Sequence, residues 1–198
     1  PEIIQFVMDY GKRYGYTFEH EATYDRMCLV NDAVYIAKYK DGKWTATGTQ
    51  FQIPYVFKKL FSGEEIVFED MFEKTCQSLN PKIAEGHNYI FIGRVGQFCP
   101  IKPGAGGGLL MREKDGRYYA ATGSKGYRWL ESEMVKELSK EDSIDRSYYD
   151  KLVDDAVETI SKYGDFEWFV SDDPYIPKPK LEDFMNIPED ADEELPFN

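Results

Sequence analysis

The dipeptide Asp-Gly occurs twice, as Asp41-Gly42 and Asp115-Gly116, each time between two runs of strand-forming residues. No other feature constrains the fold as much. Asp and Gly accept the positive φ angles of a tight turn, so the flanking runs are expected to close as antiparallel hairpins. The first hairpin lies in "KYKDGKWTATGTQF", after a strand-like stretch from Tyr16 to Lys38. The second joins Leu109–Glu113 to Arg117–Thr122. "KDGKWTATGT" also resembles "KDGRYYAATGS". A duplicated hairpin unit would explain the echo, but similar hairpins choosing similar residues is the simpler account.

Between and around the hairpins the period changes. Ile3, Phe6, Val7 and Tyr10 recur at helical spacing and predict an amphipathic helix over Ile3–Tyr14. Pro54 opens a short helix, "PYVFKKLF", from its first turn. Ile66–Ser78 fits either period, with its second half read as helix. Asn88–Val95 reads as a buried strand and Tyr127–Leu138 as a helix. Asp145–Tyr163 is the clearest helix, with Tyr149, Leu152, Val153, Ala156, Val157 and Ile160 on one face and Gly164 at its end. The expected fold class is α+β: antiparallel strands and hairpins with packed helices, a long C-terminal helix and an acidic extended tail. Three segments are expected, 1–80, 81–171 and a flexible tail, 172–198.

Charge supports that division. Up to residue 139 the chain carries 18 basic and 18 acidic residues; the remainder carries 6 and 18, which accounts for the whole net charge of −12. A neutral body with an acidic end does not exclude nucleic acid, although a strongly basic stripe is missing. The sequence shows no secretory leader and no apolar run near the ~20 residues that span a bilayer, so no membrane role is expected. Cys28, Cys76 and Cys99 are odd in number and widely spaced, which fits free thiols in a reducing cytoplasm.

A search for chemistry finds no catalytic centre. The cluster in "GQFCPIKPGAGGGLL" lacks the Lys-Ser/Thr and following helix of a phosphate loop, and Leu109 stands where a dinucleotide motif needs glycine. A bend, a hinge or a close backbone approach is expected there. His20 and His87 have no partner at ligand spacing, so no metal or cofactor is expected. Glu19 and Glu21 would share one face of a strand and are read as a solvated face. The end of the acidic tail, "EELPFN", sets Leu195 and Phe197 as a candidate partner-docking pair.

Four stretches carry a resemblance. Tyr16–Leu60 resembles the part of family B DNA polymerases that follows their second catalytic aspartate motif: Phe18–Glu21, Tyr24, Met27–Val30, Tyr35 and Gly48 fall in matching places. "NYIFIGRVGQFCPIKPGAGGGLLMREKDGRYY" is similar to the family's entry into the thumb. "IDRSYYDKLVDDAVETISKYG" is similar to its last thumb helix, and the tail ending in "LPFN" to the clamp-docking tail of phage-type members.

The departures are as informative. The aspartate motifs resembling D-x-x-S-L-Y-P and Y-G-D-T-D-S are absent, as is the motif that grips the incoming nucleotide. Of the family's Lys-Lys-Arg-Tyr element only Tyr35 remains, behind Asp32, Ala33 and Val34. The resemblance therefore implies a non-catalytic C-terminal piece, palm-like over 1–80 and thumb-like over 81–171, that holds primer-template duplex by its backbone. The DNA-facing residues it implies are Tyr35, Lys38, Lys58, Lys59, Arg94, Lys102 and Arg112. The implied partners are duplex DNA, a separate catalytic chain, and a sliding clamp at the tail. A protein-interaction module of phage or mobile-element origin, with no DNA role, is the alternative. An enzyme of another type would instead show a closed polar pocket near Glu19, Glu21 or the glycine cluster.

Overall fold

The structure, a computed structural model, describes residues 1–75, 89–91, 96–120 and 126–175. Cys76, His87, Arg94, Leu195 and Phe197 lie outside the described residues. The chain is α+β. Helix α1 (Glu2–Arg13) leads to strands β1 (Arg26–Asn31), β2 (Val34–Lys38) and β3 (Trp44–Thr47). Helix α2 (Pro54–Phe57) runs into a π-turn over Lys58–Ser62 and a 3-10 turn over Phe68–Met71. Strands β4 (Glu73–Thr75), β5 (Tyr89–Phe91), β6 (Gly96–Ile101), β7 (Leu109–Lys114), β8 (Arg117–Ala120) and β9 (Arg128–Glu131) follow. Helices α3 (Ser132–Glu137), α4 (Ser147–Ser161) and α5 (Phe166–Val170) complete the described chain. No described helix is long and apolar enough to cross a membrane.

The described strands form three three-stranded sheets, in the orders β1-β2-β3, β4-β6-β9 and β5-β7-β8. All pairings are antiparallel except β5 with β7. Both Asp-Gly hairpins form, but their loops differ. Asp115 (φ 53°) and Gly116 (φ 72°) are both left-handed, as a two-residue type I′ loop requires. In the first hairpin only Gly42 is left-handed, the Gly42 N–H bonds to Tyr39 O (3.0 Å), and the loop is one residue longer. The same tripeptide therefore closes two unlike loops, which favours the simpler account of the sequence echo. A third turn, at Asp32-Ala33, splits the expected Tyr16–Lys38 stretch: the Asn31 side chain accepts from Ala33 N (2.9 Å), and β1 pairs back on β2. Ahead of it, Tyr16–Tyr24 holds no strand.

Two cores lie behind the sheets. Cys28, Ile36, Phe51, Val56, Phe61, Ala156, Ile160 and Phe169 fill one, beneath β1-β2-β3. The other gathers Tyr55, Phe98, Cys99, Ile101, Leu110, Trp129, Val135, Tyr148 and Tyr149 around β6 and β9. Helix α4 joins them. Its first turn gives Tyr148 and Tyr149 to the second core, its last turns give Ala156 and Ile160 to the first, and Leu152 and Val153 pack against both. The apolar face expected for this helix is the one it buries. Cys28 and Cys99 are buried free thiols, and burial raises the pKa of each.

Two further expectations are corrected. The stretch Tyr127–Leu138 is not one helix: Arg128–Glu131 is a strand, and the helix starts at Ser132. Trp129 and Leu130 are consecutive and both buried, because the sheet is covered on both faces there, and such a run carries no period. In the second half of Ile66–Ser78, Glu73–Thr75 pairs with β6 as a strand; only Phe68–Met71 is helical. Helix α1 forms as expected, but Ile3 and Phe6 are 80% and 67% exposed, and Val7 and Tyr10 are exposed too. Its shielded side is Ile4, Met8 and Gly11, where the missing Cβ lets the Phe18 ring close on the backbone.

Candidate nucleic-acid interface

Strand β2 sorts its side chains by parity, since alternate residues point to opposite faces. Ile36 and Lys38 face inward, toward the first core. Tyr35 and Ala37 take the outer face, where Ala37 is fully buried among its neighbours and Tyr35 half-buried, and Tyr39 continues that row. Tyr35 and Lys38, both implied DNA contacts, therefore lie on opposite faces of one sheet.

The outward face is aromatic and hydroxylated. Across the strands Tyr35 pairs with Leu29 and Thr47, and Ala37 with Met27 and Thr45. The Tyr24 ring lies 5.2 Å from that of Tyr39 and 6.2 Å from that of Tyr35. Hydrogen bonding with Tyr35 pushes the Tyr24 phenol up to about 12, while hydrogen bonds with Thr47 and Tyr24 draw Tyr35 down. The β2–β3 loop ends this face with Lys40 and Lys43, both exposed.

The inward face holds a clamp. Arg26 and Lys38 are register partners on β1 and β2, and both side chains are nearly buried. Arg26 donates to the carbonyls of Trp168, Phe169 (3.5 Å), Ser171 (2.8 Å) and Asp173, and its guanidinium lies 4.1 Å over the Trp168 ring. Lys38 Nζ donates to Asp172 Oδ1 (2.9 Å) and stands 5.7 Å over the Trp44 ring. Lys38 draws the Asp172 carboxyl below its usual range. The Trp168–Asp173 segment is thus fastened to the first sheet.

The other implied residues are scattered. Lys58 Nζ is turned inward to Asp70 Oδ2 (2.9 Å), which also accepts from Val67 N (2.8 Å); that pairing raises the Lys58 pKa. Lys59, next on the π-turn, is exposed. Lys102 is exposed and donates to Asp142 O (3.0 Å). Arg112 lies on β7 opposite Tyr119, and its side chain is not described.

The glycine cluster is a place of close approach. Gly108 exchanges two backbone hydrogen bonds with Trp129, at 2.9 and 2.7 Å. A Cβ on Gly107 would stand 2.7 Å from Trp129 O, at a φ of +73°. Arg128 donates to Gly106 O and Gly107 O, and Lys140 to Ala105 O (3.4 Å). These bonds tie the segment to β9 and the turn after α3, and the geometry gives no support to a free hinge.

Glu19, His20 and Glu21 are exposed and outside any strand. Among the described residues, one cleft opens along β1 beside Tyr163 and Trp168 and another beneath β3 beside Gln52 and Lys58. Among the described residues no three His, Cys, Asp or Glu gather where a metal could sit. Sequence reasoning missed Arg26, Asp172, Tyr24 and Tyr39. The signal for Arg26 was parity: it shares its face with Cys28 and Val30, and a charge at an inward position requires a partner. Comparison with protein-family models, curated proteins and solved structures gives no match.

Proposed function

We propose that the chain is a non-catalytic palm-and-thumb segment of a family B polymerase-like protein, which holds primer-template duplex through its sugar-phosphate backbone. The observation that supports this is the outward face of β1-β2-β3. Tyr24, Tyr35 and Tyr39 sit there as a cluster, Thr45 and Thr47 add hydroxyls, and Lys40 and Lys43 stand exposed at the loop. Phenols, hydroxyls and lysines are phosphate-contact groups that carry no base readout. In this reading α4 is the thumb helix, a catalytic chain supplies the missing aspartates, and a sliding clamp takes Leu195 and Phe197. Lys59 and Lys102 supply further phosphate contacts.

Duplex affinity measured against salt tests the reading. Each phosphate contact should add about −0.9 to the slope of log K on log[salt], so Lys40→Ala with Lys43→Ala should flatten it by roughly 2. No salt-dependent binding at low ionic strength would end the proposal. One observation favours the alternative of a protein-interaction module: the uncovered stripe of Ile3, Phe6, Val7 and Tyr10 on α1.

A further inference from the structure

Arg26 and Lys38 hold the Trp168–Asp173 segment in different ways. Arg26 bonds to main-chain carbonyls, which any sequence would offer. Lys38 bonds to one side chain, Asp172, which is otherwise fully exposed. A carboxylate held in water by one ammonium is an exchangeable contact, open to competition from another anion. Lys38 is also the last residue of β2, two positions before exposed Lys40. Two residues of chain span at most about 7 Å, a distance that a swinging lysine side chain can cover. Lys38 leaves the sheet on the inward face, so once freed from Asp172 its ammonium reaches Lys40 and Lys43 only around the loop end of the hairpin, past Tyr39.

We propose that Asp172 is an intramolecular competitor for nucleic-acid phosphate: its carboxylate withholds Lys38 from the hairpin loop, and duplex binding there releases it. The inference rests on the DNA-holding reading and adds its regulation. Since coupling between two ligands of one site is reciprocal, weakening the internal ligand strengthens the external one. The bond to Asp172 also places the first acids after Ser171 against the one lysine of β2, on the inward side of the sheet.

The test uses the full chain with Asp172→Asn, which removes charge and keeps shape at an exposed side chain. Asp173→Asn is the control for net charge, because Asp173 meets the clamp through its backbone. The binding probe is a primer-template duplex titrated at several salt concentrations. The second readout is the rate of Lys38 acetylation in the free protein, followed by mass spectrometry, with thermal unfolding to confirm the fold. Asp172→Asn should bind about fivefold tighter or better, with a salt slope steeper by about 0.9, and should acetylate faster at Lys38. Adding Lys38→Ala should abolish the gain. Equal gains in Asp172→Asn and Asp173→Asn would overturn the competitor, as would salt-dependent binding that Asp172→Asn leaves unchanged; both results spare the DNA-holding reading. Failure of every variant to bind duplex, with Lys38 unmasked in Asp172→Asn, would overturn both and locate the failure in the DNA-holding reading.

Discussion

The guanidinium of Arg26 lies 4.1 Å over the ring of Trp168 and donates to that residue's own carbonyl, from 142 residues away in the chain. The ring covers the cation's face while its edge donors fan out to Ser171 and Asp173. Only arginine combines a stacking plane with that fork of donors. Removing it leaves the carbonyls after α5 without their donor.

Arg26→Ala should therefore destabilise the fold by roughly 2–3 kcal/mol, from the charge-assisted bonds and the stacking together. Arg26→Lys should recover less than half of that loss. Chemical denaturation gives the energies, and tryptophan emission should shift to longer wavelength as Trp168 is uncovered. Full recovery by lysine would show that charge alone matters there.

At Gly107 two costs coincide: the left-handed backbone, and a Cβ that would press on Trp129 O. Gly104 has the first (φ +82°) without the second, since nothing lies within 4 Å of its Cβ position. Gly107→Ala should cost roughly 1–3 kcal/mol and loosen the Gly108–Trp129 bridge, whereas Gly104→Ala should cost only about 1 kcal/mol. Equal losses at both positions would mean that the close approach contributes nothing.

How far the fold could be read from the chain depends on how local each determinant is. Asp-Gly fixed both hairpins, Pro54 the start of α2, and the six-residue face of α4 the helix that joins the cores, because turn chemistry and helical period act over a few residues. Strand β9 was hidden because Trp129 takes its place from β6 and from Gly108, far off in sequence. At the candidate interface, the resemblance pointed to Tyr35 and Lys38 together, and parity along β2 separates them. Apart from the ion pair with neighbouring Asp25 (3.7 Å), the partners of Arg26 are carbonyls more than 140 residues away, and no local pattern names them.

Helix α1 shows the limit of the periodic argument. Its spacing announces an apolar face but does not say what covers it. Within the described residues nothing does, so Phe6→Ser should change the unfolding free energy by less than about 0.5 kcal/mol. On α4, Ile160→Ala should cost about 2–5 kcal/mol, as expected for a buried aliphatic side chain. A large loss at Phe6 would reveal that α1 is covered in solution.

The Lys38–Asp172 contact makes a prediction in acid. Lys38 stabilises the ionised carboxyl by hydrogen bond and by charge, which puts the folded pKa of Asp172 below its ordinary 3.8. A depressed carboxyl pKa means that the unfolded chain binds the proton first. The contact's contribution is therefore complete above 3.8 and is lost as pH falls through the folded value. Carboxyl carbon shifts should give Asp172 a midpoint below 3.8, and Lys38→Met should raise it toward that value. An Asp172 midpoint that ignores the loss of Lys38 would mean that the tail does not rest on β2 in solution.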